Sequence, residues 1–271
     1  PSASYLSQLL IGALEAARRA GCHLVLETCE DDGAPAQVEA VRQLIDAEVR
    51  GVVLPPPLSE STAIRNALAE AGIPWAAIAM GSQDAGTLNV RIDDFEAARA
   101  MTRHLIELGH RSIGFIKGHP NQVASAERHR GFVAALAEAG IDPASVRIEQ
   151  GLFTYRSGID AAERILEGPS RPTAIFASND DMAAATVGVA HRHGLQVPGD
   201  LSIVGFDDTA IATSIWPALT TIRQPISAMA DAAITMLLRR VRERPGETEA
   251  TEEEVLPYQL VLRESAGPTR H

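Results

Sequence analysis

At 271 residues with 45% hydrophobic content, the chain is long enough for one large domain or two of ordinary size, each with a real core. Lys and Arg number 24 against 35 Asp and Glu, and the resulting net charge of -11 would repel a phosphate backbone. No Lys/Arg cluster offsets it, so these residues are not themselves a DNA reader. No apolar run approaches the length of a membrane span, and Pro1 is not followed by a basic segment and an apolar core, which points to a cytoplasmic protein without a membrane partner. Cys22 and Cys29 stand seven apart, a spacing that suits neither a redox pair nor a zinc site, and read as reduced thiols.

In chain order, Tyr5 to Ala20 carries Leu6, Leu9, Leu10, Ala13, Leu14 and Ala17 at helical spacing and stops at Gly21. His23 to Thr28 is a predicted strand, Pro35 to Ala47 a helix, and Gly51 to Leu54 a strand closed by Pro55, Pro56 and Pro57. A helix from Glu60 to Ala71, a strand at Trp75 to Ala79, an extended piece at Leu88 to Val90 and a helix at Asp93 to Leu108 follow. The alternation then repeats. Strands are predicted near Ser112 to Lys117, Arg147 to Gln150, Ala174 to Ala177 and Leu201 to Phe206, and helices at Ala126 to Ala139, Thr154 to Leu166, Asp181 to His193 and Ile226 to Arg240. Such alternation predicts an α/β protein of doubly wound parallel sheets covered by helices. Arg242 to Glu254 reads as a solvated acidic loop, Val255 to Arg263 as the last strand, and Ser265 to His271 as a frayed tail.

One stretch organises the rest. Ala174 to Ala177 breaks into Ser178, Asn179, Asp180 and Asp181, all able to cap a helix start. That helix stops at Gly194, and the near-continuous apolar run Leu201 to Phe206 reads as a buried parallel strand ending in Asp207 and Asp208. Ligands of open parallel sheets sit beyond the carboxyl ends of the strands, where this pattern places Asn179 and Asp207.

The wording SNDDMAAATVGVAHRHGLQVPGDLSIVGFDD at 178–208 resembles the LacI/GalR family of bacterial transcription repressors. HLIELGHRSIGFIKG at 104–118, RHRGFVAALAEAG at 128–140 and WPALTTIRQPISAMADAAITMLL at 216–238 extend the resemblance over most of the chain. It implies two periplasmic-binding-protein-like subdomains, 1–110 with 224–253 and 111–223 with 254–264, around an inter-subdomain cleft. It also implies a homodimer, which the small residues of the Asp181 to His193 helix would favour by close approach. A helix-turn-helix headpiece, a hinge and a first strand would precede Tyr5 in such a protein. Operator DNA is therefore expected as a partner only through a headpiece outside these residues, and the chain is expected to begin inside a longer protein.

By register with the family, Asp207, Arg128, Asn179 and Phe153 would contact a small effector, with Tyr5, Ser4 and Gln8 contributing from the first subdomain. The chemistry suits a sugar or sugar derivative: an acceptor-only carboxylate, a planar guanidinium that grips two oxygens, an amide and an aromatic wall. Each residue also has a plain structural reading. Asn179 is a natural cap, Asp207 a turn residue, Arg128 an exposed helix residue and Phe153 a core aromatic. The chain departs from the family at Ala79-Met80-Gly81, where an acid usually follows the strand.

No nucleophile elbow, phosphate loop, zinc-protease motif or dinucleotide fingerprint occurs, so neither an enzyme nor a cofactor is expected. Asp93-Asp94, Asp180-Asp181 and Asp207-Asp208 sit at element ends, and His191 and His193 diverge on their helix. A periplasmic sugar-binding protein of a transport system, with the same two-subdomain cleft, is the alternative to a regulator.

Overall fold

The structure is a computed structural model that describes residues 2–29, 33–81, 86–167, 170–242 and 250–269. The first part of the chain forms α1 (Ala3–Arg19), α2 (Ala34–Asp46), β1 (Val52–Leu54), α3 (Thr62–Glu70), β2 (Trp75–Ile78), β3 (Leu88–Arg91) and α4 (Asp94–Glu107). The middle continues the alternation with β4 (Ile113–Lys117), α5 (Val123–Glu138), β5 (Ile148–Gln150), α6 (Tyr155–Leu166), β6 (Ala174–Ala177), α7 (Asp180–Arg192) and β7 (Ser202–Val204). A short α8 (Ile211–Ser214), β8 (Thr221–Arg223), α9 (Ile226–Arg242), β9 (Glu252–Val255) and β10 (Gln259–Val261) complete it. The chain divides into two compact units: Ser7–Ile92 with Pro225–Leu256, here the N-unit, and Pro1–Leu6 with Asp93–Gln224 and Pro257–His271, the C-unit. The chain passes between them first at Leu6/Ser7, and the passage expected near Arg111 lies at Ile92/Asp93, because α4 packs along α5.

In the N-unit four parallel strands run in the order β1-β2-β3-β9. Val41, Val52, Leu54, Ile64 and Leu68 pack together between α2, α3 and β1. Two expectations fail here. Residues 23–28 form no strand, and Leu24, Val25 and Leu26 are exposed. An apolar run becomes a strand only where a neighbour satisfies its N–H and C=O groups, and no described strand pairs with it. Conversely, part of the predicted acidic loop, Glu252–Val255, is strand β9 on β3, while residues 243–249 of that loop lie outside the described residues. The Glu253 carboxylate takes hydrogen bonds from Arg91 at Nε (2.7 Å) and Nη2 (3.1 Å), and Glu252 pairs with Arg239. Matched charges let glutamates occupy a sheet edge, where they also oppose pairing with another chain.

The C-unit carries parallel strands in the order β5-β4-β6-β7, with β6 buried along its whole length. Phe115 on β4 stacks on Phe132 of α5 at 4.6 Å between centroids and meets the edge of Phe176 at 5.2 Å. The predicted last strand is split. Pro257 ends the β9 segment, and β10 pairs antiparallel with β8 in a separate two-stranded ladder.

The predicted frayed tail is instead stitched to the sheet, up to the last described residue, Thr269. Ser265 is fully buried, donating its hydroxyl to the Ile203 carbonyl (2.5 Å) and accepting from the Thr220 N–H (2.9 Å). Buried His110 lies 3.0 Å from the Gly267 carbonyl, 3.1 Å from Ser202 Oγ and 2.9 Å from Thr173 Oγ1, so backbone polar groups that burial would orphan are satisfied. The small residues of α7 face inward and do not form an outer surface. Its Ala183, Ala184, Ala185 and Ala190 are buried, and a Cβ on Gly158 of α6 would lie 2.6 Å from Met182 Cα.

Candidate functional site

The carboxyl ends of β4, β5, β6 and β7 in the C-unit bring together Gly118, Phe153, Asn179 and Asp207, and α5 adds Arg128. Arg128 is 5% exposed, not the surface helix residue its position also allowed. Its Nε donates to Asp94 Oδ1 (2.7 Å) and its Nη1 to the Ser178 carbonyl (2.6 Å), with Asp207 Oδ1 3.6 Å from Nη1. The guanidinium lies over the Phe206 ring at 3.7 Å and stands 5.6 Å from the Phe153 ring centre. A planar cation fixed by one carboxylate, one carbonyl and an aromatic face cannot swing to water, so it is held ready to meet oxygens.

Asp207 is buried, and Gln224 Nε2 donates to its Oδ1 at 2.6 Å. Burial pushes its carboxyl up to about 7, against the opposing pull of the Arg128 charge and the Gln224 hydrogen bond. Beneath it, Asp180 accepts from Thr221 Oγ1 (2.6 Å) and the Thr209 N–H (2.8 Å), and burial followed by the nearby Asp207 holds its pKa well above the usual carboxylate value. Asp208 turns the other way, onto Arg223 and Arg263 at 2.6 Å each. The two neighbouring carboxylates therefore do different work: one faces the site, the other ties the strand end to β8 and to the segment after β10.

Phe153, Asp207 and Asp208 have φ of 61°, 114° and 57°, three of the five non-glycine residues with positive φ among those described. Each such backbone costs on the order of 1–3 kcal/mol and persists only where its surroundings enforce it, and this concentration at one place marks out a candidate functional site. Asn179 caps α7, accepting from the Met182 N–H (3.0 Å), and its Nδ2 donates to the Phe153 carbonyl (2.9 Å).

Tyr5 joins the group. It is buried, its Oη has no hydrogen-bond partner among the described residues, and burial, with Asp207 and Asp94 close by, pushes its pKa above the usual phenol value. Ser4 is half-buried one residue away, and the structure gives its side chain no role. Gln8 belongs to the N-unit, where its carbonyl accepts from Ser227 Oγ at 3.1 Å. Asp94, Phe206 and Gln224 were not anticipated. Asp94 stood beside Asp93, the actual α4 cap, and read as a second capping acid; Phe206 read as strand core; Gln224 follows a strand too short to notice.

Buried acid and guanidinium at the strand ends of a doubly wound sheet, with a partnerless buried phenol beside them, define a small-molecule binding domain. A family description, periplasmic binding protein-like domain, matches residues 102–266. The chain is 30% identical over 262 residues to the HTH-type transcriptional repressor PurR of Photobacterium profundum, covering 96% of this chain and 77% of that one. Its fold matches a complex of the transcriptional regulator CelR with cellobiose at a TM-score of 0.87 and 31% identity, over 97% of this chain and 79% of the other. It also matches a LacI family transcriptional regulator from Enterococcus faecium with bound ribose, at 0.88 and 25%, over 99% and 96%. The chain belongs to the LacI family of transcription regulators and is an effector-binding domain of that family. It spans between 44 and 77% of the length of the curated relatives it matches. No described helix is long and apolar enough to cross a membrane.

Proposed function

We propose that this domain senses a neutral hydroxylated effector, a sugar or sugar derivative, and that effector binding regulates operator binding by a DNA-reading headpiece elsewhere in the protein, acting in the cytoplasm as a homodimer. The observation that carries the reading is the convergence of Arg128, Asp207 and the partnerless Tyr5 hydroxyl around one place bounded by Phe153. Sugar hydroxyls donate to a carboxylate and accept from a guanidinium and a phenol, and the C–H face of the ring lies on an aromatic surface. Charge argues against a phosphorylated effector: the Arg128 guanidinium is already faced by two carboxyl groups, Asp94 and Asp207, so a third anionic group would meet net repulsion. The ribose and cellobiose held by the two structural neighbours fit the same class.

Chain path supports the allosteric part. Asp94 lies two residues after Ile92, Gln224 immediately before Pro225 and Tyr5 two before Ser7, so three site residues sit where the chain passes between the units. An effector that alters their hydrogen bonds acts directly on those passages. The test is calorimetric titration of the protein and its Asp207→Ala variant with ribose, cellobiose and their phosphorylated forms. Neutral sugars are expected to bind, with a loss of about 1.5–3 kcal/mol in the variant, the scale of a hydrogen bond to a charged group. Preference for the phosphorylated forms, or equal affinity in both proteins, overturns the reading.

A further inference from the structure

Asn179 is the residue whose expected role the structure changes most. It is 1% exposed, more deeply buried than Arg128, Asp207, Tyr5 or Phe153, and both ends of its carboxamide are engaged inside the protein. The oxygen accepts from the Met182 N–H, as an N-cap does, and any cap residue with a side-chain oxygen achieves that. The nitrogen does something a cap does not require. It donates to the carbonyl of Phe153, a bulky residue held at φ 61°.

The ring at the other end of that strained residue is equally constrained. A Cβ on Gly118, just past the end of β4, would stand 1.9 Å from Phe153 Cζ and 2.3 and 2.4 Å from its two Cε atoms. The ring therefore lies against bare backbone, in space that every other residue at 118 would fill. Gln150 Nε2 donates to the Gly118 carbonyl at 2.5 Å and pins that floor. The amide of Asn179 and the absence of a side chain at 118 thus hold both ends of a phenylalanine standing in this conformation at this place.

We propose that Asn179 is a positioning residue: with Gly118 it forms a clamp that fixes the aromatic wall of Phe153 relative to Arg128, and so selects effectors by the apolar face they present. This rests on the effector-binding reading of the site. Released from the clamp, Phe153 would relax to an ordinary backbone conformation and carry its ring away from the guanidinium.

Asn179→Asp separates the clamp from the cap, since a carboxylate keeps an oxygen for the Met182 N–H but has no donor for the Phe153 carbonyl; Asn179→Ser, whose shorter hydroxyl can cap but not span to that carbonyl, is the second variant, should the first not fold. Selective 13C labelling of the six phenylalanines reads the clamp without any ligand, with the Phe153 signal assigned by its loss in Phe153→Leu. The Phe153 Cα and carbonyl shifts are expected to move in Asn179→Asp and in Gly118→Ala while the rest stay in place. Unmoved Phe153 shifts in a folded variant overturn the proposal, because a cap alone predicts that result. Titration with ribose and cellobiose is the second arm. Asn179→Asp and Phe153→Leu are each expected to weaken binding about tenfold and the double variant no further, the mark of residues acting as one unit. Additive losses overturn the proposal by making Asn179 a contact in its own right. If neither sugar binds the unaltered protein, the sugar reading falls, and the carbon shifts still decide the clamp.

Discussion

Asp207 is the residue whose environment makes the sharpest statement about pH. Its carboxyl sits at about 7 in the folded protein against about 4 for an unstructured aspartate. The folded state therefore binds the proton more tightly. The stability this confers is complete below the ordinary carboxylate range and is lost as the pH rises through 7, with a slope of at most about 1.4 kcal/mol per pH unit. Asp180 is shifted in the same direction and adds to the effect. Relative to Asp207→Asn, the unaltered protein is expected to gain stability on acidification from pH 7.5 to 5, as read by thermal melts. A sugar hydroxyl donating to the ionised carboxylate responds in the opposite sense, so ribose affinity is expected to fall between pH 8 and 6 in the unaltered protein and to stay flat in the variant. Parallel rather than opposed trends would place the titrating group elsewhere.

Arg128 shows why binding and stability cannot be separated cleanly here. Sequence reasoning expects a site residue to affect affinity more than folding, but Arg128 also satisfies Asp94 and the Ser178 carbonyl. Arg128→Lys keeps the charge and loses the fork, so neither function is rescued. A stability loss of about 1–3 kcal/mol in urea unfolding, together with lost sugar binding, is the expected result. A variant of unchanged stability would mean that the lysine reproduces the buried contacts.

At the scale of elements, the segment after β10 behaves as an extra edge of the C-unit sheet. Ser265 bonds Ile203 of β7 on one side and the Thr220 N–H on the other, and the Thr269 N–H reaches the Leu108 carbonyl. Ser265→Ala leaves a buried amide and a buried carbonyl short of partners, at a cost of about 1–3 kcal/mol. Burial lowers the pKa of His110, which the same segment covers, so its contribution is present above the ordinary histidine range and lost on acidification below it. Urea unfolding of Ser265→Ala checks the first statement, and a change below a few tenths of a kcal/mol would show the segment to be loosely held. The contrast with residues 23–28 is instructive: both segments are short, and only the one that finds backbone partners is tied to a sheet.

At the scale of the molecule, two surfaces remain to be explained. On α1, Ile11 is 56% and Leu14 60% exposed, with Leu10 beside them, and on the C-unit Trp216 is 79% exposed with its ring 6.1 Å from that of His191. Apolar side chains grouped this way on otherwise polar helices and loops mark association surfaces. The proposed homodimer would find its self-complementary patches here rather than on α7, whose small residues are spent on internal packing. Sedimentation at tens of micromolar is expected to show a dimer that Leu14→Glu or Trp216→Glu weakens; a monomer throughout would count against it. With a net charge of -11, these residues alone are expected to give no salt-sensitive operator complex in a gel shift at low salt.

The sequence by itself determined the α/β class, the order of nearly all helices and strands, the family, and the placement of Asp207 and Phe153 beyond strand ends and of Arg128 on a helix, because periodicity, caps and motif register are local properties of the chain. Tertiary structure alone decided which residues those groups meet. Asp94 and Gln224 lie far along the chain from Arg128 and Asp207, and a hydrogen bond between such residues leaves no periodic trace. It likewise decided that glutamates 252–254 are a strand, that 23–28 is not, and that Asn179 holds Phe153, since each depends on what lies opposite in space: an arginine, an absent ladder partner, a carbonyl at positive φ. Local sequence sets the conformations a segment prefers, and burial and pairing with distant groups select the one it keeps.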